Sequence, residues 1–462
     1  MVGPVADVVS KLEAKATSFV KENRLPGAAV GVVHGDDLAW STGIGVADVA
    51  ARSAPEPKTL YRVASITKTF TGTAIMQLRD EGLLHLDDPA VAHLPELREA
   101  TSPFGAIETV TIRRMLSHES GLVSEPPGTD WTAPAYEGVA ARNLERVAEI
   151  GTKIPPNVQQ KYSNLAYQLL GEIVARTSGA PYVEYVRGAI LDPLGMTGSA
   201  FEPLPEALLP RRATGYAARF LSDDLDLASI PPTVWAEGGL WSCVEDLAGW
   251  ISFQFREEGG AREGAQVLAG PTLKEMHKAR YPGNDEWTEA WCISWYAVRR
   301  DDVIWVQHSG GLHGFISNVC FDPKEKVGAI SLLNGGADAA VLAMDLATIA
   351  RDAVRAAAPA IGPASPMPEA YRPLLGIYAQ PEFGSLIRLE WRDGKLSFVD
   401  PDEAMWRPTL APTDDPDVFL VEPGSRESGE QAVFRRLPDG RVASVFLAAE
   451  TLARLDPVVA RN

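Results

Sequence analysis

Apolar positions run together at residues 28–33, break at Gly35, Asp36 and Asp37, and resume at 38–43, a pattern that predicts a β-hairpin. Before it, a charged stretch through Lys11, Glu13, Lys15, Lys21 and Glu22 reads as an N-terminal helix. Between 67 and 84 the apolar residues Phe70, Ile75, Met76 and Leu83 suit a helix that Gly82 ends. Helical patterns follow at 112–117, 164–177, 182–191 and 244–256, then strand-like runs at 303–307, 315–321 and 327–333, then a helix at 337–358. Strands at both ends with helices between them predict an α+β domain whose antiparallel sheet, flanked by helices, joins the two ends of its own chain.

The character changes after residue 357. Pro359, Gly362, Pro363, Pro366 and Pro368 make 358–369 a linker composition that stops helices and strands alike. Beyond it Ile387, Leu389 and Trp391 alternate with Arg388 and Glu390, Asp393-Gly394 reads as a turn, and Leu396 and Phe398 alternate again. Pro438-Asp439-Gly440 separates two more such runs. The chain is thus expected to hold one domain at 1–357 and a small all-β module, barrel-like or a sandwich, at 370–462.

The 462 residues carry 43 Lys and Arg against 61 Asp and Glu, a net charge of −18. A polyanion is repelled by such a surface, so neither nucleic acid nor an anionic membrane is an expected partner. Cys243, Cys292 and Cys320 form no C-x-x-C pair, and no His or Cys falls at finger spacing, so neither a disulfide scaffold, a structural metal nor a cofactor is expected. The N-terminus lacks the apolar core of a secretory signal, and no apolar run has membrane-spanning length, which makes a cytoplasmic protein the expectation.

Three short motifs carry candidate chemistry. Ser65-Ile66-Thr67-Lys68 is an S-x-x-K at the start of the helix predicted from 67, and three residues is nearly one helical turn, so the amine returns to the face of the hydroxyl. Serine needs a nearby base, and a lysine serves once burial lowers its pKa. Taken alone the motif favours a bland reading, with Ser65 as a helix cap and Lys68 as a surface charge. Tyr162-Ser163-Asn164 follows 97 residues after Ser65, and His308-Ser309-Gly310-Gly311 follows 146 residues after Tyr162, beside a predicted strand. No G-x-S-x-G elbow of the α/β-hydrolases occurs.

With these blocks in this order the sequence resembles the serine β-lactamase and penicillin-binding-protein superfamily, in its class C-like branch with family VIII esterases and D-amino-acid peptidases. The resemblance spans about residues 25–336 and includes Leu25-Pro26-Gly27, Leu86-Asp87-Asp88-Pro89, the segment LSHESGL at 116–122, Pro193-Leu194-Gly195-Met196 and Gly238-Gly239-Leu240. It implies an all-helical subdomain beside the sheet, Ser65 as nucleophile, Lys68 as the base, and Tyr162 as the proton carrier to the leaving group. Asn164 would bind Lys68 or a substrate carbonyl, His308 would be catalytic in place of the lysine of the lactam-binding Lys-Thr-Gly, and the Gly311 N–H would be the second oxyanion donor. Gly310 and Gly311 leave the strand edge open to a substrate. Within LSHESGL, His118 reads as scaffold. The C-terminal module resembles the lipocalin-like domain of some relatives, where it covers the site or mediates homo-oligomerisation.

The expected activity is hydrolysis of a small-molecule or peptide ester or amide through an acyl-enzyme on Ser65. Replacing ammonium by imidazole at 308 removes a permanent cation that grips carboxylates, which disfavours a β-lactamase. The absence of a signal disfavours a D-alanyl carboxypeptidase as well. Rival readings are a penicillin-binding-protein-type thioesterase that cyclises a peptide, an acyltransferase, and a non-catalytic scaffold. Trp131, Trp235, Trp241, Trp287, Trp291 and Trp295 fall in segments that, by resemblance, border the cleft, where aromatics would favour bulky acyl groups.

Overall fold

The computed structural model describes residues 4–125, 144–216, 236–256, 267–301, 303–357, 366–380, 385–392, 394–399 and 408–455. It divides into two compact units, Met1–Ala356 and Ala357–Asn462.

In the first unit, helix α1 (Pro4–Glu22) leads into the expected hairpin of β1 (Gly27–His34) and β2 (Asp37–Gly45), turned by Gly35 at φ 58°. Three short strands, β3 (Tyr61–Arg62), β4 (Ala200–Phe201) and β5 (Leu240–Ser242), pair in a small sheet of their own, whereas β6 (Tyr281–Pro282), β7 (Glu289–Trp291), β8 (Tyr296–Arg300), β9 (Val303–Leu312), β10 (Phe315–Asp322) and β11 (Val327–Leu333) continue the first sheet in the order β2-β1-β11-β10-β9-β8-β7-β6. β1 pairs antiparallel with β11 from Ala28↔Leu333 to His34↔Val327, so the two ends of the unit close on each other as the pattern predicted. β11 is buried at every position, since helices cover it on both sides. On one side the C-terminal helix α5 (Ala339–Ala357) packs with α1 through Leu12, Ala16, Leu342 and Leu346. On the other side lies a larger core around α2 (Thr67–Asp80), α3 (Asn164–Ser178) and α4 (Val244–Gln254).

Two local expectations need adjustment. The helix expected over 182–191 is α-helical only at Tyr182–Val186 and widens to a π-helical turn at Arg187–Leu191. Ser65 is not a helix cap, because a 3₁₀ turn, Ala64–Ile66, precedes α2 and runs straight into it.

The second unit is a closed eight-stranded antiparallel barrel from Gly376–Gln380 to Glu450–Leu455, with first and last strands paired at Ile377↔Leu455. Alternation sorts its faces: Ile387 and Leu389 are buried while Leu386 is exposed. Tyr378, Phe398, Phe419 and Phe434 fill the interior, and the buried Tyr378 hydroxyl donates to the Leu374 carbonyl at 2.6 Å.

Candidate active site

Residues 61–78 enter the core as a continuous buried run with one exception, Ser65. Two backbone features present it. Ala64 sits at φ 48°, a left-handed conformation that a residue with a Cβ adopts at a cost, and it turns the chain just before the serine. β9 then comes in against that turn at Gly310, where a Cβ would lie 2.1 Å from the Val63 carbonyl oxygen and 3.0 Å from the Ser65 nitrogen. The Ser317 hydroxyl ties β10 to the same carbonyl at 2.9 Å. The glycine at 310 is therefore what lets sheet and serine meet.

Lys68 has no solvent exposure, which overturns its reading as a surface charge. Its Nζ lies 3.0 Å from Ser65 Oγ, 2.7 Å from Asn164 Oδ1 and 2.7 Å from the Glu237 carbonyl oxygen. The last two atoms only accept, so they take two N–H bonds of the amine and orient it. Ser65 is the partner able to reverse the sense of its bond, and a neutral Lys68 aims its lone pair there. Burial drives the Lys68 pKa down, opposed by the carboxyls of Glu237 and Glu125. Asn164 begins α3, whose cap is the Ser163 hydroxyl accepting from the Ala166 N–H at 3.0 Å. Its Nδ2 donates to Glu125 Oε1 at 2.8 Å, which fixes which end of the amide faces Lys68.

Tyr162, two residues earlier, hydrogen-bonds Ser65, and its ring centroid stands 4.9 Å from Lys68 Nζ. Burial holds the phenol well above its ordinary pKa, so it is a neutral donor at physiological pH. His118 backs this ring at 4.2 Å between centroids. Its Nδ1 accepts the Ser163 N–H at 3.1 Å, which places the proton of the neutral ring on Nε2. Burial keeps His118 far below the usual histidine pKa. It supports Tyr162 and is absent from the cavity wall described next.

A cavity of about 440 Å³ opens over Ser65, lined among others by Tyr162, Trp291, Tyr296, His308 and Gly311. The β8–β9 ladder ends at Tyr296↔Gln307, and residues 308–311 of β9 run on past it along this wall. A Cβ at Gly311 would meet nothing nearer than Ile316 Cδ1 at 3.3 Å. His308 is buried, and its Nδ1 lies 2.6 Å from the Ser309 carbonyl oxygen, which only accepts. The proton therefore sits on Nδ1 and Nε2 carries a lone pair, with no hydrogen-bond partner among the described residues. Burial, with Lys68 nearby, pushes the His308 pKa down to about 3, so position 308 is uncharged at neutral pH.

The structure thus gathers Ser65, Lys68, Tyr162, Asn164, His308, Gly310 and Gly311 in one place. The tryptophans divide differently. Trp291 lines the cavity, whereas Trp295 is wholly buried against Trp250 and Phe321, and Trp241 packs on Phe315. Trp287 lies against the Arg299 guanidinium, and Trp131 and Trp235 lie outside the described residues. Sequence reasoning missed Glu237, whose neighbours Gly238 and Gly239 read as scaffold.

Known proteins resemble this chain in sequence and in fold. The β-lactamase family matches residues 12–353. Protein flp of Staphylococcus aureus (strain COL) is 27% identical over 331 residues, which cover 68% of this chain and 61% of that protein. The chain thus spans about three-fifths of that relative's length. Among solved structures, the octameric penicillin-binding protein homologue of Pyrococcus abyssi superposes with a TM-score of 0.62 at 24% identity, over 96% of this chain and all of that one. The class C β-lactamase of Rhodobacter sphaeroides superposes with a TM-score of 0.61 at 21% identity, over 73% of this chain and 98% of that one. Family match, fold and the assembled motif residues lead to one conclusion: the chain belongs to the β-lactamase family.

Proposed function

We propose that the protein is a serine hydrolase that opens an ester or amide bond through an acyl-enzyme on Ser65. The observation that carries this reading is the Lys68 amine, buried, 3.0 Å from Ser65 Oγ, with two acceptor-only partners orienting it. Neutral Lys68 takes the hydroxyl proton as Ser65 Oγ attacks the carbonyl carbon. The N–H groups of Ser65 and Gly311 receive the developing oxyanion. The tetrahedral intermediate collapses by breaking the bond to the alcohol or amine. Tyr162 delivers a proton to that leaving group and is reprotonated from the Lys68 ammonium. Water then attacks the acyl-enzyme, giving its proton to Lys68, and the Lys68 ammonium returns that proton to Ser65 Oγ as the bond to the acyl carbon breaks and the acid leaves.

The substrate we assign is uncharged where it meets position 308. An uncharged imidazole at 308 supplies no cation to grip a carboxylate, so ester or amide substrates are favoured over acids of the penicillin type. The barrel unit is proposed as a lipocalin-like appendage.

Incubation with p-nitrophenyl butyrate, followed by nitrophenol release and intact mass, tests the reading. Wild type should release nitrophenol with a transient butyryl adduct, and Ser65→Ala should do neither. Equal turnover by Ser65→Ala would end it.

A further inference from the structure

The three N–H directions of Lys68 all end on uncharged groups: a hydroxyl, an amide oxygen and a peptide carbonyl. A buried amine with neutral contacts alone would lose its proton too readily to draw one from serine. The residue that supplies the carbonyl also carries a carboxyl group. Glu237 is 2% exposed, its Oε1 accepts from the Gln168 amide on α3, and its Oε2 has no hydrogen-bond partner among the described residues. Such a group is costly to bury, and no packing need is met by a glutamate where a glutamine would make the same Gln168 contact.

We propose that Glu237 is a positioning residue for the hydrolase reaction, the buried counter-charge that sets the basicity of Lys68. This rests on the reading of Ser65 and Lys68 as nucleophile and base. Its backbone carbonyl orients the amine and its side chain supplies the field, so one residue fixes both direction and basicity. The titratable groups acting with it are Lys68 on α2, Glu125, Tyr162 beside Ser65, and Tyr182. Glu125 works from the far side, through the Asn164 amide. Burial pushes the Glu237 carboxyl above its ordinary range while the Lys68 ammonium pulls it down, the mark of a pair that titrates together.

The test is the pH profile of kcat/KM for p-nitrophenyl butyrate in wild type, Glu237→Gln and Glu237→Asp. Loss of the negative charge lowers the Lys68 pKa. The acid limb of Glu237→Gln should therefore move to lower pH by about one unit, and the plateau should fall about three- to tenfold as the base weakens. Glu237→Asp should move the limb back toward wild type. A Glu237→Gln limb at the wild-type position overturns the proposal, even if its rate is reduced. Should that variant not fold, ¹³Cε-lysine NMR of the wild type decides, with Lys68 assigned by its loss in Lys68→Met. A Lys68 resonance titrating in two steps supports the pair, and a single step overturns it. Failure of the parent reading shows elsewhere, as turnover that survives Ser65→Ala.

Discussion

Gly310 stands against Val63 so closely that a methyl group on its Cα would lie 2.1 Å from the Val63 carbonyl oxygen. That oxygen already accepts from the Ser317 hydroxyl and the Ile66 N–H, so it has no freedom to withdraw. Gly310→Ala must then push β9 off the serine turn, at a cost of about 1–3 kcal/mol in stability. Because the displaced strand carries both Gly311 and His308, kcat/KM should fall about a hundredfold or more. Gly311→Ala, with one contact at 3.3 Å, should leave the unfolding midpoint nearly unchanged. Urea unfolding and esterase kinetics on both variants check this, and equal midpoints for the two would refute it.

His308→Lys tests what position 308 asks of a substrate. The neutral imidazole offers a lone pair, whereas an amine there offers a cation, so the variant should gain on substrates bearing a carboxylate. A charged hydrogen bond contributes about 1.5–3 kcal/mol, which is roughly ten- to a hundredfold. The ratio of kcat/KM for nitrocefin to that for p-nitrophenyl butyrate should rise accordingly. An unchanged ratio in folded protein would show that this side chain does not meet the substrate.

Much of this site was legible in the sequence because S-x-x-K is local. Three residues of spacing placed Lys68 on the face of Ser65, and the structure sets them 3.0 Å apart. Tyr162, Asn164 and His308 arrive from separate segments, and no periodicity could have joined them; family resemblance did. Ala64 at φ 48° was illegible, since alanine is not a residue type that signals a left-handed turn. Trp291 and Trp295 differ by four positions and a few neighbours, yet one lines the cavity and the other is core. Aromatic count cannot separate those roles. The alternation of Ile387, Leu389, Leu396 and Phe398 predicted the strands of the second unit, but barrel closure at Ile377↔Leu455 is a contact between its ends that local pattern does not encode.

Buried neutral histidines should make the protein sensitive to mild acid. Burial pushes His277 and His308 from 6.5 down to about 3 and holds His118 well below 6.5. Each therefore has a folded pKa below its unfolded value, and the unfolded chain binds the proton first. Their contribution is fully present above pH 6.5 and is lost as pH falls toward about 3. The slope reaches about 1.4 kcal/mol per pH unit for each histidine. Carboxylates held low by partners, such as Asp87 beside Arg113 and Glu96 beside Arg176, add to acid loss only nearer their own range, and the buried Glu237 carboxyl, raised to about 8, takes up its proton first in the folded protein and offsets part of the decline, so the His277→Gln comparison is what isolates a histidine. The His277 ring bonds Gln254 Oε1 at 3.0 Å, a contact that a glutamine amide also makes. Urea midpoints from pH 7.5 to 5 should decline for the wild type and decline by one proton less for His277→Gln. A midpoint that stays level through this window, or a His277→Gln slope identical to wild type, would mean that these rings are charged in the folded protein.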